Sequence, residues 1–350
     1  MCLRSEKRRH RKFLIETLQS FVHGGARKMT VTVRSFAKIN LGLRIGAARA
    51  DDFHELLTVY QTIALHDVIR VSVHRGRGIE ILCADPRVPR DESNTCFRIV
   101  ERTMKFLRAK GRVVLEIEKY LPVRGGLGGA SANAVTTLLA LERALKKILT
   151  AADRLRIAAE VGSDLPLFLV GGTVLGIGRG EQVYPLPDFP AMPCVVVTPE
   201  IGVSTPRAFA EWDRSSRKLT PSPTSDRMIE LGRGLSAWLS EPYSSAPSKL
   251  LARRGRAENP LLWLVRAGIK NDFEEVVFPE YPELQDGKRA LLRAGAKYAS
   301  LSGSGSTLYG LFASRQSALA AANKLRKQGW AAQATATLTR RQYWSRIFDC

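Results

Sequence analysis

The chain is 350 residues long and 45% hydrophobic, enough for two domains with buried cores, and it carries a formal charge of +21. No run approaches the ~18 apolar residues of a membrane-spanning helix, and the five scattered cysteines (Cys2, Cys83, Cys96, Cys194, Cys350) form no CxxC pair or His/Cys metal cluster. A membrane span and structural zinc are excluded, and a reducing, cytoplasmic setting is expected.

Residues 1 to 28 hold eight Lys and Arg against two acids, a surplus of six, so the remaining chain still carries +15 along its length. The segment lacks the apolar core and small-residue cleavage site of a signal peptide. Charge-dense tails bury too little surface to fold, so this one reads as a disordered tail or a mis-assigned start. Organised structure opens at Met29. VTVRSFAKINLGLRI, from Val31, and DVIRVSVH, from Asp67, alternate apolar and polar residues and predict strands. SNTCFRIVERTMKFLRAKG predicts a helix capped by Ser93 or Asn94, with Phe97, Val100, Met104 and Leu107 on one face and Gly111 at its end. RVVLEIEKY predicts a strand with Val113, Leu115 and Ile117 on one face. From Ala130, SANAVTTLLALERALKKI predicts a helix whose stripe is Leu138, Leu141, Leu145 and Ile148.

Between that strand and that helix stands LPVRGGLGGASAN, residues 121 to 133. Glycines there let main-chain N–H groups converge on a ligand, and the helix N-terminus favours an anion, so the expected ligand is a phosphate. The loop lacks the GK[ST] ending of a P-loop, and Ser131 stands where the last glycine of GxGxxG belongs. Lys38 inside the apolar strand SFAKIN and Asp164 inside the apolar GSDLPLFL are each costly to bury alone, so the two are expected to pair.

PVRGGLGGASANAV resembles the Pro-x3-Gly-Leu-Gly-[Gly/Ser]-x-Ser signature of the GHMP small-molecule kinases. SFAKINLGLRI resembles their amino-terminal strand motif and ASLSGSGSTLYGLF their carboxy-terminal Gly-Ser-Gly motif, in the same order, from Val31 to about Ala334. The resemblance implies a two-domain α/β (α+β) fold with the active site in the interdomain cleft. Residues 29–190 would form an ATP-binding domain like domain 2 of ribosomal protein S5, and residues 191–345 a ferredoxin-like domain. It implies ATP as phosphate donor, held by Pro122, Gly125, Gly126, Leu127, Gly128, Gly129, Ala130 and Ser131 and by Gly303, Ser304 and Gly305. Magnesium would arrive as the nucleotide complex, with no protein ligand assigned.

AKINLGL, DDFHEL with YQTIALHD after it, GGLGGASAN, GSDLPLFL and GVSTPRAF are together similar to one branch of that family. That branch phosphorylates the 2-hydroxyl of a cytidine-diphosphate-linked methylerythritol in non-mevalonate isoprenoid synthesis. The resemblance makes Lys38 and Asp164 the catalytic pair. It assigns the acceptor to Asn40, Phe53, His54, Asn133, Thr205, Pro206 and Phe209. Phe53 and Phe209 would clamp the cytosine while His54 reads its edge. Two residues depart from the family pattern: Phe53 replaces a usual tyrosine, and Ala132 replaces the second serine of the phosphate loop, removing one hydroxyl.

The aromatic clamp argues against a kinase of homoserine or a mevalonate derivative. A relative that binds nucleotide with weak turnover is the alternative that Ala132 raises. The basic surface is not interleaved with a stacking platform, so no nucleic-acid or membrane partner is expected; monomer and homodimer both stay open. Residues 213–258 are rich in Ser, Arg and Pro and predict surface loops flanking a short helix around MIELGRGLSAWL. In NDFEEVVFPEYPEL, Asn271 and Asp272 either face the cleft or cap a helix.

Overall fold

Strands β1 (Val31–Ala48) and β2 (His54–His74) form a long antiparallel hairpin. β2 divides its other edge, pairing with β5 (Thr173–Gly178) along Leu56 to Gln61 and with β4 (Arg112–Glu118) along Val68 to His74. With β3 (Gly78–Cys83) beside β4 and β6 (Gln182–Pro185) beside β5, this makes a six-stranded sheet. The computed structural model describes residues 30–123, 125–216, 228–233, 236 and 269–348. The basic tail and most of the Ser/Arg/Pro-rich stretch, including the end of its expected helix, lie outside the described residues; 228–233 are helical.

One face of the sheet is covered by α1 (Thr95–Phe106), α2 (Gly129–Leu145), α3 (Ala151–Val161) and α4 (Leu165–Val170), whose Ile99, Leu138, Ile157 and Phe168 share a core with Val33, Ile69 and Leu115 of the strands. Of the two cap candidates Asn94 is the one used, its side chain accepting from Cys96 N–H. Two expected helix ends are corrected. α1 stops at Phe106, well before Gly111, because Arg108 turns to φ +47° and the N–H groups of Arg108 and Ala109 close on Lys105 and Met104. α2 stops at Leu145, where Lys146 at φ +53° and Lys147 close in the same way on Arg143 and Glu142. Both are left-handed caps built without glycine. Ile148 therefore falls beyond the helix and is 83% exposed, outside the apolar stripe.

The second sheet has the order β10-β7-β9-β8, from β7 (Pro193–Val197), β8 (Tyr298–Leu301), β9 (Leu308–Leu311) and β10 (Ala332–Ala336), all antiparallel. Helices α5 (Thr205–Ser216), α6 (Glu274–Glu280) and α7 (Pro282–Arg293) come between β7 and β8, and α8 (Arg315–Lys327) between β9 and β10. With α7 and α8 taken as the two crossovers, the chain order β-α-β-β-α-β is that of a ferredoxin-like sheet. The last helix, α9 (Arg340–Ile347), returns to the first half, where Tyr343 and Ile347 join the first core.

The halves are fused by a third apolar cluster in which Ile39, Leu41, Val59 and Ile63 of the hairpin meet Cys194, Val196, Tyr309 and Leu311 of the second sheet. A buried ion pair reinforces the seam: Arg44 Nη1 donates to Asp272 Oδ1 at 2.7 Å, and Ile45 N–H donates to Asp272 Oδ2 at 2.9 Å. Removing one member of a buried pair leaves the other charge in low dielectric, at a cost of about 3–5 kcal/mol. Asp272→Ala is therefore expected to lower unfolding free energy by about that amount in urea titrations. A loss under about 1 kcal/mol would mean that Arg44 is satisfied by Glu230, whose Oε2 lies 3.7 Å from Nη2.

Candidate active site

The glycine loop sits between β4 and the N-terminus of α2. Gly128, at φ +66°, caps the helix with no side-chain bond, leaving its first N–H groups open to an anion. Gly126, at φ +76°, faces the backbone of the Gly-Ser-Gly turn so closely that a Cβ there would lie 2.2 Å from the Ser302 carbonyl oxygen. Ser302 Oγ donates to Gly126 O at 2.9 Å, and Thr307 N–H donates to Gly125 O at 3.2 Å. The two glycine motifs thus form one cradle, though nearly 180 residues separate Gly126 from Ser302. Pro122 packs against Gly125, and Ala130 O accepts from Thr95 Oγ1. Leu127 is buried, and its carbonyl accepts from Lys38 N–H at 3.0 Å, which joins the loop to β1.

Lys38 and Asp164 meet beside this cradle, Nζ lying 3.6 Å from Oδ2. Lys38 is 3% exposed and also donates to Asn40 Oδ1 at 2.7 Å; Asn40 Nδ2 in turn donates to Thr58 Oγ1 at 2.8 Å, and that hydroxyl donates to Gly42 O. Asn40 is thereby locked with its oxygen toward the ammonium. Burial pulls the Lys38 ammonium below its usual range, and the Asp164 carboxylate opposes that shift. The Asp164 side chain is 36% exposed and stands immediately before α4 with no side-chain capping bond, so the carboxylate remains partly open to solvent. Gly303 belongs to the same cluster: a Cβ on it would lie 3.6 Å from Lys38 Nζ and 3.5 Å from Asn40 Oδ1.

The expected acceptor residues other than Asn40 divide into four places. His54 and Phe209 stack on each other, ring centroids 5.0 Å apart and 11° from parallel, and His54 Nε2 lies 2.7 Å from Asp213 Oδ1. Phe209 also meets Phe273 edge-on at 4.9 Å. Phe53 is apart from this pair, 48% exposed, with the Arg179 guanidinium 4.9 Å from its ring centre. No base fits between rings as close as those of His54 and Phe209, and of the expected clamp rings Phe53 is the exposed one, with the Arg179 guanidinium over it. Thr205 Oγ1 is 2.7 Å from Ser304 Oγ, joining α5 to the Gly-Ser-Gly turn, and Pro206 is exposed next to it. Asn133 is buried, and its amide donates to Asp67 at 2.9 Å.

Comparison with known proteins decides the family. Residues 94–172 match the GHMP kinases N terminal domain and residues 254–330 the GHMP kinases C terminal domain. A 4-diphosphocytidyl-2-C-methyl-D-erythritol kinase of Solibacter usitatus is 39% identical over 283 residues, 81% of each chain. The chain belongs to the 4-diphosphocytidyl-2-C-methyl-D-erythritol kinase family. A kinase of the same name from a Synechococcus species is 35% identical over 85% of this chain and 90% of its own. A solved structure of 4-(cytidine 5'-diphospho)-2C-methyl-D-erythritol kinase superposes with a TM-score of 0.65 at 27% identity, covering 87% of this chain and 98% of that one. Homoserine kinase from Cytophaga hutchinsonii, at 20% identity, 91% and 97% coverage and TM-score 0.64, shares the fold.

Within this kinase of the diphosphocytidyl-methylerythritol family, the site holds residues that sequence reasoning did not single out. Tyr60 OH donates to Asp164 Oδ1 at 3.1 Å. Burial, and then the nearby carboxylate, hold its phenol well above the ordinary range, so it stays a donor. Arg179 and Gly180 form the turn beside that contact: a Cβ on Gly180 would lie 2.4 Å from Tyr60 OH and 3.9 Å from Asp164 Oδ1. Tyr60 lies across from Asn40 and Thr62 across from Lys38, with a bulge between Asn40 and Gly42, a register that neither strand shows by itself. Asn271 accepts from Phe273 N–H in the turn ahead of α6, whose own cap Phe273 has no side-chain bond, and donates to Leu301 O and Gly303 O at 2.9 and 2.8 Å; Asp272 is buried on Arg44, so neither residue supplies the side-chain cap.

Proposed function

We propose that this chain transfers the γ-phosphoryl group of ATP to the 2-hydroxyl of 4-diphosphocytidyl-2-C-methyl-D-erythritol, giving the 2-phosphate and ADP. The observation that carries the mechanism is the 3.6 Å approach of Lys38 Nζ to Asp164 Oδ2 beside the paired glycine motifs. Phosphoryl transfer asks the protein mainly for position and charge, because the transition state is loose. The cradle fits the donor: its positive-φ glycines and bare helix N-terminus offer N–H groups to phosphate oxygens where side chains would intrude. Magnesium, bound as the nucleotide complex, would neutralise charge on the triphosphate.

Asp164 accepts the hydroxyl proton as the hydroxyl oxygen bonds to the γ-phosphorus and the bond from that phosphorus to the β,γ-bridging oxygen breaks, the electron pair leaving on ADP. Tyr60 and Lys38 hold one carboxylate oxygen each. Lys38, fixed by Asn40, supplies positive charge to the equatorial oxygens of the group in flight. Phe53 offers its face to the cytosine, with Arg179 alongside, and the His54–Phe209 stack forms the wall.

The test is ADP release measured with three acceptors side by side: the cytidylylated methylerythritol, homoserine and mevalonate. Turnover is expected with the first alone. Base–aromatic stacking is worth about 1–3 kcal/mol, so Phe53→Ala is expected to raise the acceptor KM roughly 5- to 150-fold while KM for ATP stays within about twofold. Turnover of homoserine or mevalonate at a comparable rate would overturn the acceptor assignment. A Phe53→Ala effect confined to ATP would overturn the stacking role.

A further inference from the structure

We infer that Asp67 is the positioning residue that anchors both ends of the phosphate loop and so sets the affinity for the donor nucleotide; this rests on the kinase reading. Asp67 lies in β2 just before that strand begins to pair with β4, next to the point where β4 gives way to the loop. Its side chain is 0% exposed and receives four hydrogen bonds. Oδ1 accepts from the main-chain N–H groups of Tyr120 and Leu121, both at 2.8 Å. Oδ2 accepts from Lys119 Nζ at 2.5 Å and from Asn133 Nδ2 at 2.9 Å.

The first three partners belong to the entry of the loop and the fourth to the first turns of α2, so the glycines between them span two points tied to one carboxylate. A loop rich in glycine has large conformational freedom of its own. Its N–H groups converge on an anion only if its ends are held, because ordering the loop when ligand arrives would subtract from affinity. The same bond places the Lys119 ammonium at the start of the helix: a Cβ on Gly129 would lie 3.6 Å from Nζ.

Asn133 fits this role in detail. Among the described residues its Oδ1 is buried with no hydrogen-bond partner, so the amide is held from one side only, through the donor to Asp67. Turning the amide over would set its oxygen against the carboxylate, which fixes the orientation electrostatically. The asparagine thus acts here as the far end of the anchor.

The test compares binding of the non-hydrolysable analogue AMP-PNP, with magnesium, and of CDP as acceptor probe, by calorimetry on the full chain. Asp67→Asn replaces one carboxylate oxygen with an NH2 donor, which must face either Lys119 and Asn133 or the N–H groups of Tyr120 and Leu121. It is expected to weaken AMP-PNP at least about tenfold while CDP stays within about twofold, a split that general destabilisation does not produce. Asn133→Ala removes the helix end alone and is expected to weaken AMP-PNP at least about fivefold, which decides the matter should Asp67→Asn not fold. AMP-PNP affinity within about twofold of the unsubstituted protein in the variants that fold, or equal loss for both ligands, overturns the inference. Failure of the unsubstituted protein to bind AMP-PNP would instead remove the kinase reading and this inference with it.

Discussion

Asp164→Asn is expected to lower turnover by roughly 10²- to 10⁴-fold, the range that a positioned proton acceptor contributes, with AMP-PNP binding within a few-fold of the original. The substitution acts twice. It removes the carboxylate that takes the hydroxyl proton, and it removes the group that opposes the burial-driven fall of the Lys38 pKa. Lys38 would then lose its proton at lower pH, so the alkaline limb of the residual activity moves down the pH axis relative to the unsubstituted enzyme. Tyr60 OH keeps an acceptor in the asparagine oxygen, so the change falls on charge rather than on shape. A purely structural ion pair gives a different result: a lower melting temperature with turnover within a few-fold.

The second large effect is expected at Gly126. A side chain at φ +76° is strained by roughly 1–3 kcal/mol before any contact is counted. In addition its Cβ would meet the Ser302 oxygen at 2.2 Å and the Gly305 oxygen at 2.9 Å, both main chain and unable to rotate away. Gly126→Ala must therefore push the two glycine motifs apart. KM for ATP should rise at least tenfold, with a fall in kcat because Gly303, beside Lys38, moves with its turn. Gly232→Ala, where no described residue lies within 4 Å of the added carbon, is the control and should change neither constant by more than about twofold. Normal nucleotide binding by Gly126→Ala would mean that the two motifs do not act as one cradle.

Much of this site was legible before any coordinates. Lys38 and Asp164 drew attention because each put a charge into an apolar segment, and such charges are tolerated only in company. The glycine cluster announced a close backbone approach, although not that Ser302 would be the backbone approached. Strand β2 was legible as a strand only in its second half, DVIRVSVH, while DDFHEL and YQTIALHD stood out only as motifs. Its middle carries Thr58 and Tyr60, whose importance comes from facing β1, and cross-strand pairing leaves no mark on a single segment. The helix ends were misjudged for a local reason: Arg108 and Lys146 take a left-handed conformation that glycine would occupy more cheaply, and their neighbours' hydrogen bonds hold them there. The expected clamp of Phe53 and Phe209 with His54 at the base edge comes from motif order, which carries no distances; that the His54 ring stacks on Phe209 from the other half of the molecule is visible only in space.

Helix α9 has a consequence for how the chain is made. Tyr343 OH donates to Phe168 O and Trp344 Nε1 to Val170 O, and the Tyr343 ring sits against Gly171, where a Cβ would lie 2.2 Å from it. The segment that carries Asp164 is thus closed by residues some 175 positions further along the chain. Synthesis delivers the first sheet early, yet its core waits for a strip of chain some 175 residues downstream of the helix it covers. Sequence-distant contacts of this kind form late and slowly. Until that strip has been made and has docked, the nascent chain carries an open apolar seam beside its future base.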